Sequence, residues 1–516
     1  MHTVPRLRLP VWPGTRNTSH AIGRTGLATL LACALSATAL PGTAAGAPTD
    51  RPTATPEELG FDSARLAEVL AVMPEAFPGI HSLVAARGGA VFVEANFYPY
   101  DGIAPHGLES VAKAVTATLA GMAADAGLLS LDSPVLSFFP DREIANLDER
   151  KEALTVADLA DMTTGYDCRP LDDMRASDDW VQFVLDMPMK AEPGTTYEYC
   201  NPASHLLSAV ITAATGASAS ELATDGLFGP LGIGDVVWPA DPQGVTHGWA
   251  SLMLTPADAA AFGQLWLDGG QWDGQQILPS WLPGALTAPD ATSPDGTGYA
   301  LGWTVVQSDG VGPIVSARGG GGQYIVLIPA LDVVVGTTGS GTYGPGDLIG
   351  ALATALADPV APLPPSPDGE AMLADTIEQL AAGPPPATDV ASPATATAVS
   401  GVAYQLEPNP LGLEGLMLEF ADGPEAQLTL LFADTPEPIV LPVGLDGRYR
   451  FVPGELGHPL GLRGTWQDER TFVLEYDTIS NVTAVTLVLA PSTEGLRAEA
   501  LDRTNGEVFE IAGRAT

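Results

Sequence analysis

The chain has 516 residues, enough for two folded units with connecting segments, and carries 62 acidic against 22 basic side chains for a formal charge of −40. A surface this acidic argues against nucleic acid and anionic membranes as partners, because both repel it. Apolar content is that of a globular protein, so neither disorder nor a membrane bundle is indicated.

Residues 1–47 have the form of an export signal. Arg6, Arg8, Arg16 and Arg24 make a basic start without acids, Gly26 to Leu40 is mostly apolar, and Ala45-Gly46-Ala47 offers the small residues of a cleavage site. The expected location is therefore secreted, periplasmic or extracellular. Leu30-Leu31-Ala32-Cys33 also reads as a lipoprotein box, and lipidation at Cys33 is the one route to a membrane that the sequence offers. Removal of the signal leaves Cys168 and Cys200, an even count that points to a disulfide in an oxidising compartment.

From Leu66 to Val72 the spacing is helical. Ser82–Ala86 and Val91–Phe97, joined by Arg87-Gly88-Gly89-Ala90, read as a β-hairpin. Ser110 to Leu128 is small or apolar on every face, which places that helix inside a domain. Further helices are expected at Val156–Met162, His205–Thr215 and Pro256–Leu267. Strand signals return at Tyr299–Val306, Ile314–Ala317, Gln323–Ile328 and Leu331–Thr338. Two strands, a helical insertion and a second run of strands predict an α+β unit over 55–358, with one antiparallel sheet built from both chain ends. Residues 359–400 are rich in Pro and Ala and read as a linker containing one helical stretch. Alternating segments within 401–516, such as Gln427–Phe432, Thr471–Tyr476 and Ala484–Leu489, predict an all-β barrel or sandwich with a structural role.

The chemistry concentrates at three places. Ser110-Val111-Ala112-Lys113 sets a hydroxyl and an amine one helical turn apart on a common face. A serine is a weak nucleophile until a base takes its proton, and a lysine serves as that base only when burial or nearby charge depresses its pKa. Lysine occurs only at positions 113, 151 and 190, so its presence in the most apolar helix demands a reason. Tyr199-Cys200-Asn201 offers a phenol to relay the proton and an amide to hold a substrate carbonyl. Ala317-Arg318-Gly319-Gly320-Gly321-Gly322-Gln323, between two strands, lets backbone approach a substrate closely, so that an N–H near Gly319 or Gly320 completes an oxyanion hole with that of Ser110. Taken singly, each string is unremarkable: a capped helix start or a glycine turn accounts for the last two.

Together with Leu131-Asp132-Ser133-Pro134-Val135, Leu154-Thr155-Val156-Ala157-Asp158-Leu159, Met162-Thr163-Thr164-Gly165 and Leu254-Thr255-Pro256-Ala257-Asp258, these strings resemble the class C serine β-lactamases and the related DD-peptidases, esterases and 6-aminohexanoate-oligomer hydrolases. The resemblance runs from about residue 80 to 345. It implies a β-lactamase/transpeptidase-like fold, acylation of Ser110, proton handling by Lys113 and Tyr199, and a carbonyl-orienting role for Asn201.

The third string departs from the Lys-Thr-Gly or His-x-Gly of lactamases and peptidases, since Ala317 or Arg318 stands at the equivalent position. Arg318 supplies a charge there only if it points inward. With Gly319, Gly320 and Gln323 as the remaining substrate-binding candidates, the sequence favours small esters or linear amides over β-lactams and D-amino-acid peptides. A non-catalytic cell-wall-binding protein is the rival from another class, and the intact Ser, Lys and Tyr speak against it. No Gly-x-Ser-x-Gly occurs, His106 and His205 read as structural, and no metal-ligand spacing is present, so neither metal nor cofactor is expected.

Overall fold

A computed structural model describes residues 51–516 apart from 235, 287–288, 290, 294–295, 310, 389–391, 434 and 505. The expected export signal over 1–47 and the Cys33 lipidation site lie outside the described residues.

Helix α1, Ser63–Ala76, starts where the Asp62 carboxylate caps the Arg65 N–H, and buries Leu66, Leu70 and Met73. Strands β1 (Ile80–Arg87) and β2 (Ala90–Asn96) form the expected hairpin across Gly88 and Gly89, both at positive φ. The interior helix α2 spans Ala112–Asp125 and is entered through a 3₁₀ turn, Glu109–Val111, which shortens the expected helix at its start; Gly127, in the left-handed region, closes its end. Helix α3 (Asn201–Thr215) has Pro202 in its first turn and a left-handed Gly216 after its last, and α4 (Pro256–Leu267) is capped by Thr255.

The sheet is completed by β3 (Ala291–Thr292), β4 (Gly298–Ala300), β5 (Trp303–Ser308), β6 (Gly312–Gly319), β7 (Gln323–Ile328) and β8 (Val333–Gly339), in the order β2-β1-β8-β7-β6-β5-β4-β3. The single strand expected over 299–306 is two strands, because Leu301 and Gly302 both take positive φ and reverse the chain. This turn has a purpose in the packing: a Cβ on Gly302 would fall 2.5 Å from backbone atoms of Ala114, so only glycine lets the turn rest on the start of α2. First and last strands meet where Leu83 pairs with Thr337 and Ala85 with Val335, so the sheet is indeed built from both chain ends.

Alternation along the strands separates two cores. Val315, Ala317, Ile325, Leu327 and Val334 face α2, α3 and α4, whereas Ile314, Tyr324, Val326, Val333 and Val335 face α1 and α5 (Pro345–Ala353). Helix α6, Pro367–Ala382, buries Leu373 within the second of these cores beside α1. Ten strands between Ala403 and Ala515 then form a second sheet, closed on itself by the parallel pairing of Gly444 with Arg463. Of the two predicted architectures this is the barrel. Its interior is filled by every second residue, including Leu428, Leu430, Leu441, Leu462, Leu474 and Leu487.

Candidate active site

Ser110, the candidate nucleophile, sits in the 3₁₀ turn that leads into α2. Lys113 Nζ lies 2.9 Å from Ser110 Oγ and 2.7 Å from the Trp249 carbonyl oxygen, and the side chain is 3 % exposed. The Tyr199 hydroxyl lies 2.7 Å from the same Oγ, with Lys113 Nζ 4.8 Å from the centre of its ring. Two side chains, one of them 89 positions away, therefore converge on the Ser110 oxygen.

Tyr199 is held there by a cradle. The Thr155–Asp158 capping box starts a short helix, Thr163 Oγ1 donates to the Asp158 carboxylate at 3.0 Å, and Met162 takes a positive φ. The Met162 carbonyl accepts the Glu198 N–H, its sulfur accepts the Cys200 N–H, and the Thr163 carbonyl accepts the Gly194 N–H. The Met162-Thr163-Thr164-Gly165 string thus serves as the support that aims the phenol. Cys168 and Cys200 are joined by a disulfide, which ties the 168–200 excursion to the residue beside Tyr199.

Electrostatics differentiate the two proton-handling candidates. Burial pushes the Lys113 ammonium well below its usual pKa, with the nearby Glu109 carboxylate opposing the shift. Burial pushes the Tyr199 phenol up, the contact with Ser110 opposing it. The two shifts run in opposite directions, and each disfavours the charged form of its group. Asn201 opens α3 beside them, and its Oδ1 is buried without a hydrogen-bond partner.

The glycine run behaves unevenly. Gly319 lies on the same face as Ala317 and packs so closely on Leu108 and Glu109 that a Cβ there would strike the Leu108 carbonyl. Gly320 is exposed and has open space beside it. Arg318 pairs with Tyr324 and so projects from the opposite face, where its Nε donates to Ser316 Oγ at 2.8 Å. It is not brought to the Ser110 group, and no cationic side chain of β6 stands on the catalytic face. Gln323 is fully buried and engaged: its amide donates to the Gly320 and Gly339 carbonyls and accepts the Gly339 N–H, which fixes the turn.

Two contributors had no signature in the sequence. The acceptor for Lys113 is the main-chain carbonyl of Trp249, and no side-chain pattern announces a carbonyl. Glu109, at φ 48° immediately before Ser110, holds that residue in a turn that β-lactamase-like strings do not reveal. His205 is the buried structural residue expected, bonded to Asp241 at 3.0 Å, and His106 is buried against His81 at 2.9 Å.

An antiparallel sheet from both chain ends, a Ser-x-x-Lys on the first turn of an interior helix and a phenol on the same oxygen define a serine hydrolase of the β-lactamase/transpeptidase type. The Beta-lactamase family profile matches residues 66–358, and the chain belongs to that family. It is 27 % identical over 324 residues to penicillin-binding protein 4 of Amycolatopsis lactamdurans, across 53 % of this chain and 84 % of that protein. Among solved structures, a putative 6-aminohexanoate-dimer hydrolase from Bacillus anthracis is similar with a TM-score of 0.51 at 20 % identity, over 61 % of this chain and 88 % of that one. An octameric penicillin-binding protein homologue from Pyrococcus abyssi aligns with a TM-score of 0.46 at 18 % identity, over 87 % and 99 % of the two chains.

Proposed function

We propose that the chain is an exported hydrolase that forms an acyl-enzyme on Ser110 and acts on esters or linear amides. The carrying observation is the convergence of Lys113 Nζ and Tyr199 Oη on Ser110 Oγ, at 2.9 and 2.7 Å, with the amine depressed in pKa by burial. Neutral Lys113 takes the Ser110 proton as Oγ attacks the substrate carbonyl. The resulting oxyanion is held by the N–H groups of Ser110 and of the Gly319–Gly320 segment. The protonated amine returns its proton to the leaving group, with Tyr199 bridging the two, and water then releases the acyl group by the same steps in reverse. Asn201 orients the acyl portion by donating a side-chain amide N–H to the substrate carbonyl.

Ala317 and Gly319 leave the catalytic face of β6 without a partner for a substrate carboxylate, which supports uncharged esters and linear amides over β-lactams. On the same reading residues 55–358 are the hydrolase unit, 359–400 connect it to the barrel of 401–516, and residues 1–47 are an export signal. The Cys168–Cys200 disulfide fits a location outside the cytoplasm.

The test is incubation of the purified chain with a fluorophosphonate probe, a short-chain nitrophenyl ester and a chromogenic cephalosporin. Labelling that disappears in Ser110→Ala, with ester turnover, is the expected result. Faster cephalosporin than ester turnover would transfer the proposal to the β-lactamases, and an unlabelled wild type would end it.

A further inference from the structure

The barrel meets the hydrolase unit beside the segment that leads into Ser110. Its turn between strands Phe472–Thr478 and Ala484–Pro491 presents Ser480, Asn481 and Val482 to the hydrolase unit. The Ser480 carbonyl accepts the Gly107 N–H at 2.9 Å, three residues before the nucleophile. The Asn481 amide lies 3.0 Å from where a Cβ on Gly107 would stand. Val482 packs on Gly321, its Cγ1 2.6 Å from the corresponding Cβ position, one residue beyond the open space at Gly320. A side chain at Gly321, which lies at φ 81°, would strike Val482, and one at Gly107 would crowd the Asn481 amide.

The turn is itself rigidly held. His458 Nδ1 lies 2.6 Å from Ser480 Oγ, Asn481 Oδ1 accepts the Val482 N–H at 2.7 Å, and Thr504 donates its hydroxyl to the Val482 carbonyl. Ser480 and Val482 are buried, and Asn481 is half-buried. A buttressed wall of this kind touches both backbone segments that border the nucleophile, the approach to Ser110 and the glycine run.

We propose that the Asn481-Val482 turn closes one end of the substrate cleft, making Val482 the residue that sets how large an uncharged acyl or alcohol group the site accepts. The inference rests on acyl-enzyme formation at Ser110. The wall is uncharged, with an isopropyl group and an amide as its faces, so it suits an apolar or amide-bearing substituent and offers nothing to an ionic one. Its size effect follows from pocket discrimination, in which one methylene of space changes relative kcat/KM by about tenfold or more.

The experiment uses the full-length chain and two series of nitrophenyl and alkyl esters, one varying the acyl group from acetyl to branched and the other varying the alcohol. Val482→Ala is expected to raise the bulky-to-small ratio of kcat/KM in one series by about tenfold, and Val482→Phe to lower it. Fluorophosphonate labelling of Ser110 is measured in each variant. Absence of labelling in the wild type defeats the acyl-enzyme reading itself. Labelling retained in both variants, with ratios unchanged in both series or every substrate losing activity equally, overturns the specificity role alone. Asn481→Ala guards against a folding failure at Val482: with melting temperature preserved it must also shift a ratio, and an unshifted ratio counts against the proposal.

Discussion

At the scale of single residues, the two groups proposed to handle the proton differ in what burial does to them. Desolvation depresses the Lys113 ammonium and raises the Tyr199 phenol, so activity that needs a neutral amine rises with pH as Lys113 loses its proton. The phenol, pushed upward, imposes no loss on the alkaline side of neutrality. The kcat/KM profile for an uncharged ester is therefore expected to climb along one acid limb to a plateau extending beyond pH 9, and a bell falling between pH 8 and 9 contradicts this assignment. The glycine run offers a second prediction. Gly319→Ala forces a methyl against the Leu108 carbonyl, whereas Gly320→Ala meets open space. Thermal melting should fall by several degrees in the first, a cost of about 1–3 kcal/mol, and stay near wild type in the second.

Residue-level legibility followed covalent proximity. Ser110 and Lys113 share a helix face, so their spacing alone specifies the contact. Tyr199 carries the family string Tyr-x-Asn but depends on Met162 and Thr163 for its position. Arg318 shows where reading stops: strand side chains alternate, so a one-residue choice of register through four glycines decides which face a charge occupies. The pairing with Tyr324 made that choice, and nothing in the glycines encodes it.

Among elements, the excursion from Cys168 to Cys200 is the one that depends most on a covalent tie. It holds two short helices, Leu171–Arg175 and Trp180–Asp186, and ends at Tyr199. A bridge across a separation of 32 residues restricts the unfolded chain by roughly 3–4 kcal/mol in the loop-entropy view. The double variant Cys168→Ser/Cys200→Ser is expected to melt at a temperature lower by several degrees and to lose kcat, as Tyr199 is less firmly aimed. Equal kcat in bridged and unbridged proteins, measured well below either melting point, would show that the Met162 cradle suffices. Element boundaries in the sequence erred where backbone conformation turned over within an apolar run, as at Leu301 and Gly302, because both flanks carry the same strand signal.

For the whole molecule, the contact between hydrolase unit and barrel is lined by histidines. His81 and His106 bond each other at 2.9 Å, and His458 bonds Ser480; Asp477 and Arg503 supply the opposing charges that act on His81. Burial lowers all three, His458 to about 4 and His106 well below its usual value. The folded form thus binds fewer protons than the unfolded one between about pH 6.5 and 4, and stability falls as pH drops through that window. Melting temperature is expected to decline on acidification across it, with His458→Gln flattening part of the decline. An unchanged slope in that variant would place the acid sensitivity elsewhere. This junction was invisible to sequence reading: Ser480, Asn481 and Val482 form an ordinary-looking turn whose partners, Gly107 and Gly321, lie in another folded unit.

The sheet that joins both ends of the hydrolase unit has a temporal implication. In chain order Ile80–Arg87 comes long before Val333–Gly339, its neighbour on one side, so the hairpin has an unpaired edge until that strand is in place. Ser110 and Lys113 are synthesised early, yet the glycine run that faces them comes late. The Ser110 turn and the glycine run opposite it are therefore brought together only when that last strand takes its place beside the hairpin.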